Sequence, residues 1–268
     1  MLNRNELHFE RRSILTAAQL RAIEKFPREI LRLKYLDFGN GIISGVDFVK
    51  REDKVFITEG IVKIGNYFYT ADEINLSNLA KDTLDGVDYH LVLTEPERTA
   101  SENVTAEKIF LEVKQLEEKP AELEFGKFTA GLGIILPNIG AEDLVKEFTD
   151  RSQLNLLNVP YSVRGGTTFH PYVFRAILHK LTLKKNPTPA DTSLMIHLAD
   201  FGVASIPALK IYVESNGVQF VGDSRENIFK SILKAVKADW KINLPEKISD
   251  PSEPVKKPKP QRQSWAIN

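Results

Sequence analysis

The chain has 268 residues, of which 42% are hydrophobic and 27% are charged, as in ordinary globular proteins with a buried core. The 36 Lys and Arg residues balance the 36 Asp and Glu residues, so the chain lacks the net positive charge that dominates nucleic-acid binding, and we do not expect a nucleic-acid partner. There is no Cys, which excludes thiol nucleophiles, disulfides and iron–sulfur clusters but leaves metal sites built from His and carboxylates open.

The amino terminus predicts no targeting segment. Residues 1–12 carry too many charges for the apolar core of a secretory signal. The longest apolar stretch, near residues 131–136, is much shorter than the roughly 20 residues that a membrane-spanning helix needs. We therefore expect a cytoplasmic protein with no membrane span.

A helical pattern begins at Thr16, which is a suitable N-cap residue. The apolar residues Leu20, Ile23 and Ile30 then recur on one face of a helix. Pro27 falls inside this pattern, where its missing N–H interrupts helical hydrogen bonding. The sequence therefore predicts two short helices in this region.

From residue 41 the pattern changes to short runs of β-branched and aromatic residues, at 41–50, 54–60 and 61–70. These runs predict a small antiparallel sheet, with a tight turn at Gly65 and Asn66. Further strands are predicted at 87–94, 108–116 and 123–128, with a polar loop over residues 96–103.

After residue 138 the sequence becomes helical. Helices are predicted at 141–148, 168–183, 191–201, 205–214 and 224–240, and Thr168 is the predicted cap of the second. The predicted fold class is therefore α+β, with an amino-terminal antiparallel β-rich domain at 1–138 followed by a small helical bundle at 139–244. The proline-rich residues 245–268 predict a disordered tail.

No segment carries a recognisable catalytic motif. A phosphate-binding loop, a dinucleotide fingerprint and an esterase elbow are all missing, and the five His residues form no metal-binding pair. We therefore predict no catalytic residue, no cofactor, no metal and no enzyme activity. Carboxylate pairs for hydrolysis are defined by their separation in space, so a hydrolase or a carbohydrate or small-ligand binding module stays open as an alternative.

Residues 161–190 contain basic side chains and no Asp or Glu. This basic stretch is either a surface for phosphate or an acidic protein, or a solvated helix face. Nucleic-acid binding through it is a second alternative function. The candidate partner-binding residues are four in this stretch and two apolar anchors in the tail: Arg164, Arg175, Lys180, Lys184, Trp265 and Ile267.

Residues 40–48 read NGIISGVDF, and after a polar turn they are followed by VFITEGIVK at 55–63 and GNYFY at 65–69. This succession resembles a pattern near the amino terminus of baseplate and tail-appendage proteins from phage tails and contractile injection systems. Residues 13–20 resemble the helical element that often precedes that sheet. The stretch LNVPY at 157–161, leading into 169–185, is similar to the lead-in and helix of the type VI secretion baseplate adaptor family.

The resemblance implies a non-enzymatic adaptor that assembles with other baseplate or tail proteins. It also implies a homo-oligomer, since a trimer is characteristic of that adaptor family. Five residues of the motif are expected to shape the attachment sheet through turns, bulges and close backbone approach: Gly41, Ser44, Gly45, Gly60 and Gly65.

Overall fold

The computed structural model describes residues 16–79, 83–94, 97–100, 105–115, 123–131, 134–140, 143–150, 153–220 and 222–236. They all fall within one compact unit, Met1–Ala238. A second unit, Asp239–Asn268, lies outside the described residues.

The described residues form thirteen strands and seven helices. The elements run, in chain order, α1 (Ala17–Lys34), β1 (Gly41–Gly45), β2 (Phe48–Arg51), β3 (Lys54–Ile57), β4 (Gly60–Ile64), β5 (Tyr67–Ala71), β6 (Ile74–Asn75), α2 (Leu76–Leu79), β7 (Asp88–Leu93), β8 (Glu97–Ala100), β9 (Thr105–Lys108), β10 (Leu111–Gln115), β11 (Glu124–Thr129), α3 (Leu144–Thr149), β12 (Tyr161–Val163), β13 (Gly166–Thr168), α4 (Pro171–Thr182), α5 (Pro189–Phe201), α6 (Ile206–Ser215) and α7 (Arg225–Val236). Amino-terminal sheets are followed by carboxy-terminal helices, so the predicted α+β class is confirmed.

The principal sheet has five strands in the order β13-β12-β1-β4-β5. Its β4–β5 hairpin closes at Gly65 and Asn66, as predicted. The β1 strand pairs antiparallel with β4 but parallel with β12, so Ile42 lies between Val62 and Tyr161. The strands predicted as one sheet are divided between two, because β2 and β3 pair with β6 in a separate three-stranded sheet.

The remaining strands form a three-stranded sheet, β10-β7-β11, and a hairpin, β8-β9. The three strands confirm those predicted at 87–94, 108–116 and 123–128. The polar loop predicted over residues 96–103 is wrong, because β8 begins at Glu97 and pairs with β9 up to Lys108. Backbone hydrogen bonds hold such a hairpin even where the sequence lacks the apolar alternation that signals a strand.

The first helix is a single element, and the prediction of two short helices is therefore wrong. Thr16 and Gln19 form a reciprocal capping box at its start, which compensates the amide groups that lack helical partners. The ion pair between Arg28 and Glu24, at 3.1 Å, spans the position of Pro27. A proline inside a helix removes one hydrogen bond, and here the helix continues through it.

The helices of the second half lie near their predicted positions, but α3 begins at Leu144 and not at residue 141, and residues 237–240 of the last predicted helix lie outside the described residues. The cap of α4 is His170, not Thr168. Thr168 ends β13 instead, and its hydroxyl donates to the carbonyl of Ala204 at 2.5 Å. The strand β13 occupies the residues before the helix, so the cap falls two residues later than the sequence suggests.

Aromatic side chains join the helices to the sheet. Phe229 of α7 lies 5.4 Å from Phe148 and 6.2 Å from Phe169, measured between ring centroids. Phe169 follows β13 directly, and all three rings are buried. Edge-to-face aromatic contacts add to the stabilisation that burial supplies, so this cluster fixes the helical region against the strands.

The backbone also connects the two predicted domains. The amide of Ile42 donates to the carbonyl of Pro160 at 2.9 Å, across the division predicted at residue 138. That division into separately folding domains stays a prediction.

The tail predicted at 245–268 lies outside the described residues. Within the described part of the chain, no helix combines the length and apolar character needed to cross a membrane.

Candidate interaction surface

Helix α1 has no buried residue along its 18 positions. Five large apolar side chains are between 46% and 68% exposed, and we call them the α1 stripe: Leu20, Ile23, Phe26, Ile30 and Leu33. At 100° per residue, the last four fall within an arc of about 80° and Leu20 widens it on one side. A contiguous apolar patch on a protein surface makes this face the candidate interaction site.

The segment that follows α1 is attached to the principal sheet. The Tyr35 ring lies 5.0 Å from Phe38 and 5.9 Å from Phe68, between centroids. The Lys63 ammonium donates to the Phe38 carbonyl at 2.7 Å. The Ser162 hydroxyl donates to the carbonyl of Gly39 at 2.6 Å. The segment directly after the stripe is therefore held by both β4 and β12.

Part of the stripe was missed by the sequence reasoning. Phe26 lies three residues after Ile23 and four before Ile30, and Leu33 lies three residues after Ile30. This helical spacing is the signal that the sequence offers. The assumption that Pro27 divides the helix separated these residues into two short segments and concealed it.

Two of the predicted attachment residues, Gly45 and Gly60, lie where the backbones of β1 and β4 approach each other closely. A Cβ atom on Gly60 would lie 2.4 Å from the carbonyl oxygen of Ser44, and one on Gly45 would lie 2.2 Å from that of Glu59. A Cβ atom on Gly41 would lie 2.4 Å from the Pro160 carbonyl oxygen. These three residues must be glycine for the strands to pair as they do. Close backbone packing therefore explains why glycine occupies these positions. Whether they also attach a partner stays a prediction.

The fifth attachment residue, Gly65, is different. It adopts a φ of +59°, and an added Cβ would have no heavy atom within 4 Å. Its amide donates to the Asn40 side chain at 2.8 Å. This glycine serves the turn between β4 and β5.

The four basic residues proposed for partner binding do not form one exposed stripe. Lys180 is buried, and Lys184 is nearly so, with its ammonium 2.5 Å from Asp191. Arg175 pairs with Asp47 at 3.0 Å, while Arg164 forms a β-bridge with Phe38. Their positions in sequence suggested a common face, but α4 turns Lys180 inward. The tail anchors Trp265 and Ile267 lie outside the described residues.

Asp191 is the centre of a buried polar cluster at the start of α5. Its carboxylate accepts hydrogen bonds from Lys184, from the Thr188 amide at 2.7 Å and from the Tyr212 hydroxyl at 2.8 Å. Burial acts to raise the pKa of Asp191, but these donors outweigh it and hold that pKa below its ordinary value. Both carboxylate oxygens are partnered, so the cluster has a structural explanation in linking α5 with α6.

His90 and Glu124 form a second buried pair, across β7 and β11. The Nδ1 atom of His90 lies 3.3 Å from one carboxylate oxygen of Glu124, and the Lys127 ammonium lies 3.5 Å from the same oxygen. A His–carboxylate pair can act in acid–base chemistry. This one is shielded from solvent, since His90 is only 2% exposed.

Two open depressions among the described residues bear on the hydrolase alternative. One, of about 520 Å³, is lined by Glu214 with Gly217 and Phe220. The other, of about 310 Å³, is lined by Glu112 with Tyr89 and Leu111. Each has one carboxylate in its lining, so neither brings together the pair that glycoside hydrolysis requires. No group of three or more potential metal ligands occurs in the described ranges.

Comparison with known proteins gives a weak structural similarity. No family model and no curated protein matches the chain. A chain in a cryo-electron microscopy structure of the type VI secretion system TssK–TssF–TssG baseplate subcomplex is similar over 87% of this chain and 99% of that chain, with 11% identity and a TM-score of 0.31. A score at this level does not establish a shared fold.

Proposed function

We propose that this protein is a cytoplasmic structural component of a phage-derived tail or injection-machine baseplate, and that it acts by protein–protein assembly without catalysis. The observation that carries the proposal is the α1 stripe, an exposed apolar face on a helix with no buried residue. The baseplate class comes from the sequence resemblance of residues 40–69. Its partners are other baseplate or tail proteins, and self-association is part of the proposal, with a trimer as the state that the resemblance implies.

The size of the stripe indicates the strength of the contact. Covering it removes on the order of 500 Å² of apolar surface per chain, which contributes roughly 10 kcal/mol before other terms. Association itself costs about 4–15 kcal/mol. The stripe alone therefore supports a reversible contact, and stable incorporation requires the several simultaneous contacts that a multi-subunit particle offers.

The proposal is tested in cells that produce the protein, with a tagged chain and purification of tail-like particles. We expect the wild-type chain to sediment with particles identified by electron microscopy. Phe26→Glu should be lost from them, because it places a charge in the stripe. The matched control is Arg21→Glu on the opposite, polar face of α1. A wild-type chain absent from all such particles, or Phe26→Glu retained in them, contradicts the proposal.

A further inference from the structure

We infer that the α1 stripe is covered by the α1 stripe of a second copy of this chain, with the two helices parallel and in register as a two-stranded coiled coil. This inference rests on the proposed function and names the partner of the same surface, and it gives two copies where the sequence resemblance implies three. It rests on four features of α1: the repeat of its apolar residues, their identity, the residues that flank them and the area that they expose.

The apolar residues follow a seven-residue repeat. Ile23 and Ile30 take the first position of the heptad, and Phe26 and Leu33 take the fourth. These two positions form the seam between the helices of a coiled coil. All four are exposed or close to half exposed in the single chain, so the seam has no partner among the described residues.

The identity of the seam residues specifies the number of strands. Isoleucine at the first position and leucine at the fourth favour two parallel helices, whereas other arrangements favour three or four. This helix has isoleucine at both first positions, with Phe26 and Leu33 at the fourth. The preference is therefore for a pair.

The flanking residues specify the direction. The seam is flanked by the fifth and seventh heptad positions. In a parallel pair, a residue at the seventh position faces the residue five places later, at the fifth position, in the second copy. That spacing places Glu29 opposite Lys34 of the second copy, and Ala22 opposite Pro27, where a small side chain leaves room for the proline ring. By symmetry each contact occurs twice. In an antiparallel pair, seventh positions face seventh positions and fifth positions face fifth positions. Glu29 would then not meet Lys34.

The remaining charges are compatible with this arrangement. Glu29 accepts two hydrogen bonds from Arg32 of its own helix, at 3.1 and 2.6 Å, and Lys34 of the second copy would add a second cation. The other charged residues of α1 occupy the three heptad positions away from the seam: Arg21, Glu24, Lys25, Arg28 and Arg32. No like charges are brought together at the contact.

The area agrees with a reversible pair. Two stripes in contact remove on the order of 1,000 Å² from water, near the lower limit for a specific interface. We therefore expect two copies at tens of micromolar protein and dissociation on dilution.

The pairing is measured on the full chain by light scattering, with Phe26→Glu expected to give one copy and Arg21→Glu two. Because α1 has no buried residue, both variants should keep the wild-type circular dichroism spectrum and melting temperature at a dilution where the wild-type chain is a single copy.

The absence of native Cys permits a direct test of direction. In the parallel pair, position 30 faces position 30 of the second copy, within the Cα separation of about 7 Å that a disulfide allows. Under mild oxidation Ile30→Cys should form covalent dimers at least tenfold faster than Arg28→Cys, whose side chain lies on the polar face.

Three results would overturn the inference: a monomeric wild-type chain at tens of micromolar, a trimer, or equal cross-linking at positions 28 and 30. The proposed function fails separately. A monomer whose Phe26→Glu variant is lost from tail-like particles overturns the pairing, keeps the function and assigns the stripe to a different protein. A dimer found in no such particle supports the pairing and removes the function.

Discussion

His170 links Val46, the residue after β1, to the start of α4 through both nitrogens of its ring. Its Nδ1 accepts a hydrogen bond from the Tyr172 amide at 3.1 Å and so caps α4. Its Nε2 donates to the carbonyl of Val46, also at 3.1 Å. The cap requires an unprotonated Nδ1, and burial, which is the largest influence, lowers the pKa of His170 to about 4. The fold therefore depends on a neutral imidazole.

This dependence gives a stability that changes with pH. The folded-state pKa lies below the ordinary value of 6.5, so the unfolded chain takes up the proton first as the pH falls. The contribution of His170 to the free energy of unfolding should be fully present above pH 6.5. It should decrease by about 3 kcal/mol as the pH falls to 4. His170→Gln cannot titrate, so it should lose this part of the slope, and loss of the cap should cost about 1–2 kcal/mol at pH 7.5.

The measurement is urea unfolding at pH 4.5, 5.5, 6.5 and 7.5. His179→Gln is the matched control, since His179 lies exposed in the last turn of the same helix and should keep the wild-type slope. A wild-type slope in His170→Gln would show that this ring does not carry the pH dependence.

At the scale of elements, the close approach of β1 and β4 predicts unequal effects of two glycine substitutions. An added Cβ at Gly60 would meet the Ser44 carbonyl oxygen and the Val46 amide nitrogen at 2.4 and 2.6 Å, so Gly60→Ala must move backbone and should cost about 2–3 kcal/mol. At Gly65 the space is open and only the left-handed φ opposes alanine, for about 1 kcal/mol. Urea unfolding midpoints check the order, and a larger loss for Gly65→Ala would contradict it.

Most elements were predictable because their signals are local. The turn at Gly65 and Asn66, the Thr16 cap and the apolar spacing of α4 and α7 all depend on residues a few positions apart. Two features were not. The parallel pairing of Ile42 with Tyr161 joins distant segments, and no local pattern encodes it. The exposure of Phe26 depends on what covers the helix, which periodicity alone cannot show, because an amphipathic helix has the same spacing whether it packs internally or against another chain.

At the scale of the whole molecule, Arg225 connects α7 to β13 and to the segment that leads into β12. Its guanidinium donates to the Thr168 carbonyl and the Thr167 hydroxyl, each at 2.7 Å, and to the Val159 carbonyl at 3.3 Å. The guanidinium also lies 5.8 Å from the centroid of the Phe169 ring. Val159 precedes Pro160, whose carbonyl accepts the Ile42 amide. One side chain thus supports the contact between the amino-terminal sheet and the helices.

If this contact makes the described part of the chain one cooperative unit, Arg225→Met should weaken both regions equally. The substitution leaves buried carbonyls without their donor, at a cost of about 2–3 kcal/mol. Hydrogen exchange should show that loss at the Ile42 amide in β1 as well as at amides of α7, because one opening event exposes both. Lys210→Met, which removes an exposed ion pair with Asp223, should change both by less than about 0.5 kcal/mol. Loss of protection confined to α7 would instead support the predicted division of the chain at residue 138 into separately folding domains.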